Sequence, residues 1–154
     1  MAKPVVFVIG ASGSVGSATL RALSAKYAHK VEIRAGVRNP DKADKLKTIA
    51  GVSIVQAEMG AKDELVGTLI FTGVNALYIV TPGVENRAEF AVVTAETAKE
   101  ASVKHVVVVS MPLADLPNTV FDRQFKPIKE KISKLGVPFT ILCLPFFYGE
   151  PLGT

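Results

Sequence analysis

Six short apolar runs, separated by segments with helical spacing, constrain the fold of this chain more than any other feature. The runs predict strands at 4–10, 31–38, 51–58, 75–83, 104–110 and 137–144. Helices are predicted between them at 14–28, 39–49, 62–69, 86–101 and 120–135. Strands that are apolar along their whole length are covered on both faces, so the pattern predicts a parallel sheet with helices on each side.

The alternation of strands and helices predicts an α/β doubly wound sheet of about six strands, in the order 3-2-1-4-5-6. The length of 154 residues predicts a single domain over 1–154. Ligands of such sheets bind at the carboxyl ends of the strands, near the switch between strands 1 and 4. The segments expected to face a ligand are 10–16, 38–42, 57–60, 81–86 and 110–113.

Three glycines lie where the first strand meets the first helix, each separated from the next by two residues. Gly10 is predicted to form the sharp turn, Gly13 to let the backbone approach a pyrophosphate, and Gly16 to let the helix pack closely. The helix N-terminus offers free N–H groups and a partial positive charge, and Ser12 and Ser14 add hydroxyl donors. At a strand-to-helix junction this spacing predicts a dinucleotide-binding turn; the alternative is a glycine-rich turn without a ligand.

The end of the second strand lacks the Asp or Glu that proteins specific for NAD use to bond the ribose 2′-hydroxyl. Arg38 occupies that place, and a guanidinium can form bidentate hydrogen bonds to a 2′-phosphate. Lys42 lies one turn into the next helix and can assist. The alternative is that Arg38 is a solvated arginine, but the missing acid favours NADP(H) as the cofactor.

Composition limits the compartment and the partners. Cys143 is the single cysteine, so no internal disulfide can form, and a reducing, cytoplasmic location is expected. The net charge of +4 fits a solvated surface rich in lysine, or attraction to an anionic ligand. Nucleic acid is not favoured because no basic stripe is interleaved with aromatic residues. No apolar run approaches the length of a membrane span.

The histidine and cysteine side chains predict neither a metal site nor a reactive thiol. His29 and His105 lie far apart in the sequence pattern, without Cys or carboxylate partners at ligand spacing, so no metal site is predicted. Cys143 lies in an apolar predicted strand, which predicts a buried and unreactive thiol.

Several segments resemble the NmrA-like branch of the atypical short-chain dehydrogenase/reductase superfamily: "VIGASGSVGSATLRAL", "VRNPDKA", "NALYIVTP", "ASVKHVVVVS" and "LGVPFTILCLPFF". The resemblance runs from about residue 4 to 150, and the glycine motif and "VRNP" are its most specific parts. It implies the following cofactor contacts: pyrophosphate at Gly10, Ser12, Gly13, Val15 and Gly16, the 2′-phosphate at Arg38, adenine near Glu58 and Met59, and the ribose and nicotinamide near Thr81, Pro82 and Gly83. Members of this family include NADPH-dependent reductases and proteins that bind the dinucleotide as a redox signal for a partner.

The catalytic pattern of the superfamily is incomplete in this chain. Short-chain dehydrogenases use Y-x-x-x-K, but no lysine follows Tyr27, Tyr78 or Tyr148 four residues later. The resemblance offers Ser110, at the end of the fifth strand, in the place of the catalytic serine. It also offers Lys126, in "FDRQFK", as a catalytic lysine.

The chain departs from the family pattern at other places as well. By its distance from Gly136, Phe125 fits the family's lysine position better than Lys126 does. Cys143 stands where the family usually has an arginine. Ala57-Glu58 replaces the family's Gly-Asp at the end of the third strand.

The sequence ends in "GEPLGT", just past the sixth strand, whereas the resemblance implies a further stretch that builds the substrate pocket. We therefore expect a truncated or naturally short form, or a second subunit that closes the site. An apolar edge after the sixth strand makes a homodimer or a protein partner an expectation.

The sequence leaves three functions open. The favoured one is an NADP(H)-binding sensor or regulatory module. The second is an NADPH-dependent reductase of quinone-like substrates. The third is an interaction protein that has the fold but binds nothing at the glycine turn.

Overall fold

The computed structural model describes residues 2–60 and 69–144. Its six strands are β1 (Val5–Ile9), β2 (Glu32–Val37), β3 (Val52–Gln56), β4 (Ala76–Ile79), β5 (His105–Ser110) and β6 (Phe139–Cys143). They form one sheet in the order β3-β2-β1-β4-β5-β6, and every neighbouring pair is parallel. The predicted doubly wound α/β sheet and its strand order are therefore confirmed.

The helices that lie entirely within the described residues are α1 (Ser14–Tyr27), α2 (Asp44–Lys47), α3 (Arg87–Glu100) and α4 (Val120–Ile132). Short 3₁₀ turns cover Pro40–Lys42 and Pro112–Asp115. The helices predicted at 14–28, 86–101 and 120–135 match α1, α3 and α4 to within a few residues. Residues 62–68 of the helix predicted at 62–69 lie outside the described residues.

The single helix predicted at 39–49 is wrong. Its start is as expected, because the side chain of Asn39 accepts a hydrogen bond of 3.1 Å from the Asp41 amide ahead of the 3₁₀ turn. Ala43, with φ −100° and ψ 26°, then leaves helical geometry and separates that turn from α2. The segment is therefore two short turns rather than one helix.

Apolar clusters cover both faces of the sheet. Phe7 belongs to the cluster under α3 and α4, while its neighbour Val8 belongs to the cluster under α1, and both are fully buried. The Phe7 ring meets the Phe71 ring edge-on, with centroids 5.3 Å apart. Because successive residues of a strand point to opposite faces, β1 runs through the middle of the core, as its uninterrupted apolar sequence predicts.

The edge strand β6 differs from that picture. Phe139 and Leu142 are both exposed, and Cys143 is exposed as well, so the prediction of a buried thiol is wrong. The physical reason is position: β6 pairs only with β5, and the described residues leave much of its surface open. The predicted strand order already placed this strand at the edge of the sheet, but its apolar sequence wrongly indicated that the thiol would be buried.

None of the helices in 2–60 and 69–144 is long and apolar enough to cross a membrane.

Candidate functional site

A cavity of about 370 Å³ opens at the carboxyl ends of β1 to β4. The predicted cofactor residues that line it are Gly10, Ser12, Gly13, Arg38, Glu58, Met59, Thr81 and Pro82. Backbone hydrogen bonds continue the sheet into its rim: the Ala57 amide donates to the Val37 carbonyl at 2.9 Å, and the Val80 amide to the Ile9 carbonyl at 3.2 Å. The walls are therefore held by the sheet itself.

A wider hollow of about 750 Å³ lies at the opposite end of the strands, beside Lys3, Val31 and Gly73. Size alone does not make it the better candidate. In doubly wound sheets the ligand lies beyond the carboxyl ends of the strands, at the switch between the first and fourth strands. The smaller cavity occupies that position.

Gly10 and Gly16 are glycines because the protein backbone requires them. Gly10 has φ +77°, a conformation that residues with a Cβ rarely adopt, and a Cβ there would collide with the Val80 carbonyl oxygen. A Cβ on Gly16 would collide with the Gly10 carbonyl oxygen and lie 2.8 Å from the Ala11 Cα. The predicted turn and the predicted close packing of α1 both follow from these contacts.

Gly13 has no such requirement. Its φ of −78° and ψ of 173° suit any residue. A Cβ there would have one neighbour within 4 Å among the described atoms, the Gly10 carbonyl oxygen at 3.8 Å. The missing side chain therefore leaves open room beside the start of α1. This is the geometry that a phosphate group approaching the backbone needs.

The N-terminus of α1 borders that open room. Gly13 is the N-cap, no side chain of the described residues caps the helix, and the first turn holds no acidic residue. The first amide that bonds inside the helix is that of Ser17, which donates to the Gly13 carbonyl at 2.9 Å. The amides of Ser14 and Val15 precede it, and so they belong to the end of the helix that attracts anions. Ser14, Val15 and Gly16 do not themselves line the cavity.

Arg38 follows β2 directly, is exposed, and lines the cavity. Within the described part of the chain its guanidinium forms neither an ion pair nor a hydrogen bond. All of its donors are therefore available to an anionic ligand. Lys42 ends the following 3₁₀ turn and is exposed, outside the cavity lining.

Phe90 is a wall of the cavity that the sequence interpretation missed. Gly60, at φ +77°, lies against its ring so closely that a Cβ there would collide with it. The Gly60 amide donates to the Thr94 hydroxyl at 3.3 Å, and that hydroxyl donates to the Phe90 carbonyl at 2.7 Å. The loop after β3 is thereby fixed to α3. The available signal was a lone aromatic residue in an alanine-rich helix.

The predicted catalytic residues lie apart from this cavity. Ser110 is buried at the end of β5, in register with Cys143 of β6. Lys126 is exposed on α4, with its Nζ 3.7 Å from Asp122 Oδ1. That carboxylate oxygen is buried and has no hydrogen-bond partner among the described residues. Neither Ser110 nor Lys126 lines the cavity, and Gly83 also lies outside its lining.

No group of three or more His, Cys, Asp and Glu side chains within 2–60 and 69–144 is arranged to hold a metal ion. The ring Nε2 of His105 is hydrogen bonded to the Thr140 hydroxyl at 2.8 Å.

Strand order, glycine turn and free guanidinium together define a domain of the Rossmann type. The model of the NmrA-like family matches residues 2–150. The chain therefore belongs to the NmrA-like family, as its motifs predict.

Several solved structures share the fold of this chain. The NADPH-dependent quinone oxidoreductase QOR2 of Escherichia coli, complexed with NADPH, is 28% identical with a TM-score of 0.78; the match covers 90% of this chain and 48% of that one. NmrA, a negative transcriptional regulator solved in complex with NADP, is 21% identical with a TM-score of 0.73, over 92% of this chain and 45% of that one. The triphenylmethane reductase of Citrobacter sp., complexed with NADP(H), is 22% identical with a TM-score of 0.77, over 90% and 48%.

This chain thus spans less than half the length of each of these three proteins. No curated protein sequence matches it significantly.

Proposed function

We propose that this chain binds NADP(H) at the carboxyl ends of β1 to β4 and acts as a redox-sensing or regulatory module. The observation that carries the proposal is the open room at Gly13, where the protein itself gives no reason for a glycine. A bound diphosphate supplies that reason, because it must approach the backbone more closely than a side chain allows. The relatives that were solved with NADP(H) support the same cofactor.

Each part of the cofactor has a corresponding group of residues in this proposal. The diphosphate lies against Gly10, Ser12, Gly13 and the first-turn amides of α1. Arg38 binds the 2′-phosphate, with Lys42 nearby. Glu58, Met59 and Phe90 surround the adenine, and Thr81, Pro82 and Gly83 lie towards the ribose and nicotinamide.

The regulatory role is preferred over turnover because the catalytic groups are incomplete. When bound, NADPH supplies a hydride, and the protein must then position a substrate and provide a proton. The tyrosine of the Y-x-x-x-K pattern is missing, and Ser110 and Lys126 do not line the cavity. Binding without efficient turnover is what the remaining residues support.

A reductase of quinone-like substrates is the second candidate. Its support is the quinone oxidoreductase that is 28% identical to this chain, together with the Lys126–Asp122 pair on α4. In this alternative, Lys126 Nζ holds the proton that a reduced substrate oxygen accepts, and Asp122 orients the lysine.

The first experiment is a calorimetric titration of the chain with NADPH and with NADH. Replacing Arg38 with Ala removes a charge-assisted contact, so we expect NADPH binding to weaken by about 1.5–3 kcal/mol and NADH binding to stay nearly unchanged. Arg21→Ala is the matched control, because Arg21 is exposed on α1 and outside the cavity lining. Equal weakening of both coenzymes by Arg38→Ala would show that Arg38 does not recognise the 2′-phosphate.

A second experiment separates the functions by following NADPH absorbance with a panel of quinones. Tight binding without oxidation supports the sensor, and rapid, saturable oxidation supports the reductase. Absence of any binding leaves the interaction protein with a ligand-free glycine turn.

Two wider features belong to the proposal. The single cysteine supports a cytoplasmic location, since no disulfide is needed within the chain. The exposed apolar side chains Phe139 and Leu142 support contact with a protein partner or with a second copy of the chain.

A further inference from the structure

Arg87, the first residue of α3, holds a half-buried guanidinium whose position is fixed by its neighbours. The Cζ atom lies 4.4 Å from the centroid of the Phe125 ring, in cation–π geometry. The Nε group donates to the Val84 carbonyl over 3.5 Å, a long hydrogen bond. These contacts orient the planar group but occupy few of its five N–H donors.

The nearest acidic side chain is committed elsewhere. Glu85 accepts a hydrogen bond of 2.9 Å from the Gln124 side chain and one of 3.4 Å from Arg123. It attracts Arg87 through space, but no ion pair joins the two. Among the described residues, Arg87 thus has no carboxylate in contact with its charge. Burial lowers the pKa of Arg87, yet a guanidinium stays charged at any physiological pH.

The guanidinium does not line the cofactor cavity, but it lies beside Gly83, which follows residues that do. Its Nη2 atom is 3.6 Å from the position that a Cβ on Gly83 would occupy, so the missing side chain of Gly83 keeps space open beside it. Gly83 directly follows Thr81 and Pro82, which line the cavity, and Phe90 lines it from one turn further along α3.

We propose that Arg87 binds the carboxylate or phosphate of a second ligand that lies beside the dinucleotide, at the junction of β4 and α3. A fixed, partly desolvated guanidinium with free donors recognises such groups in bidentate fashion, and its attraction is stronger than at a fully solvated site. The proposal rests on the proposed function for the dinucleotide beside it. The phosphates of the coenzyme itself offer the same chemistry, and the experiment separates that source from a second ligand.

The test uses the whole chain, labelled for NMR, saturated with NADP⁺ and titrated with inorganic phosphate at constant ionic strength. The Gly13 amide reports on the coenzyme, and the amides of Gly83 and Val84 report on phosphate at Arg87. We expect saturable phosphate shifts at Gly83 and Val84, weakened about tenfold or more by Arg87→Gln. Arg21→Gln, an equal loss of charge on α1, should leave them unchanged.

Several results would overturn the proposal. If phosphate leaves the amides of Gly83 and Val84 unshifted, Arg87 does not bind phosphate. The same follows if phosphate shifts these amides as much in Arg87→Gln as in the unchanged chain. If NADP⁺ blocks phosphate, or if Arg87→Gln weakens NADP⁺ itself about tenfold, the anion belongs to the coenzyme and not to a second ligand. Failure of the dinucleotide site is seen separately, as an unshifted Gly13 amide on addition of NADP⁺.

Arg87→Gln also removes the contact with Phe125, so a variant that leaves the core intact is needed. Glu85→Gln replaces a fully exposed side chain and removes the negative charge nearest to Arg87. Phosphate binding should then tighten about two- to threefold, because a repulsive charge is gone. Unchanged or weaker phosphate binding in this variant would contradict an anion site at Arg87.

Discussion

The carboxyl edge of the sheet has two halves, one shaped by backbone atoms and the other by side chains. Around β1 to β4 the edge is shaped by the backbone, through the Gly10 turn, the open position at Gly13 and the first amides of α1. Around α3 and α4 it is shaped by side chains, with Arg87 on Phe125 and with Glu85 bonded to α4. The first half can be encoded in one short motif, whereas the second depends on residues far apart in the chain.

The two halves also differ in how far their strands are exposed to solvent. The strands in the middle of the sheet are buried on both faces, but β6 leaves Phe139 and Leu142 each 36% exposed. The half around β1 to β4 thus contains buried strands, while the half towards β6 presents exposed apolar side chains. Substitutions in the two halves should therefore act on different properties.

The largest effect is expected at Gly10, where the backbone itself determines the site. Gly10→Ala combines a left-handed φ with a collision against the Val80 carbonyl, so it should lower the free energy of unfolding by about 2–4 kcal/mol. Gly73→Ala is the matched control: it has the same φ of +77° with no atom within 4 Å, and should cost about 1 kcal/mol. Urea denaturation measures both, and equal losses would mean that crowding at the turn is unimportant.

A smaller effect on stability but a clear one on binding is expected at Gly13. Gly13→Val fits the backbone and its surroundings, so stability should fall by no more than about 1 kcal/mol, the cost of a poorer helix cap. The side chain would occupy the space of the diphosphate, which should weaken NADPH by about 1–3 kcal/mol. Calorimetry and thermal unfolding measured on the same sample separate the two. Normal NADPH affinity would place the cofactor elsewhere.

Substitutions in the half towards β6 should change the self-association of the chain rather than its ligand binding. Leu142→Ser removes an exposed apolar side chain, and its cost in stability should stay near 1 kcal/mol. If a second copy covers this strand, the dissociation constant measured by analytical ultracentrifugation should rise about tenfold. NADPH affinity should not change, and a chain that is monomeric at every concentration tested would contradict the homodimer.

The smallest effect concerns Glu85. Hydrogen bonds from Gln124, and then from Arg123, lower the pKa of this fully exposed carboxylate below its ordinary value of 4.5. Its contribution to stability is therefore present above pH 4.5 and is lost as the pH falls through the lowered pKa. Denaturation across this range should show a small advantage over Glu85→Gln at neutral pH that vanishes in acid.

Local signals in the sequence predicted most of the fold and the phosphate-binding turn. The apolar runs located all six strands, and in the middle of the sheet burial on both faces is what demands continuous apolar residues. Asn39 and Pro40 marked the start of a helical turn, but nothing local showed that Ala43 would interrupt it. Arg38 was placed at the cavity by its position after β2 alone, since parallel strands end at the same edge.

Features that depend on contacts between distant parts of the chain could not be predicted from local sequence signals. Phe90 became a wall of the cavity only because Gly60 and Thr94 fix the loop after β3 to α3. Cys143 is exposed because β6 lies at the edge of the sheet, and an apolar sequence does not show how far an edge strand is covered.

The sequence by itself determined the glycine turn and the alternation of strands and helices from which the strand order was predicted, because both follow from preferences that act over a few residues. Only the tertiary structure decided that a side chain at Gly13 would enter open room, while side chains at Gly10 and Gly16 would collide with the backbone. It also decided that Arg87 keeps its charge free, since the Glu85 carboxylate is held by a helix that begins 35 residues further on, at Val120. Contacts of that kind are made by packing, which no local pattern encodes.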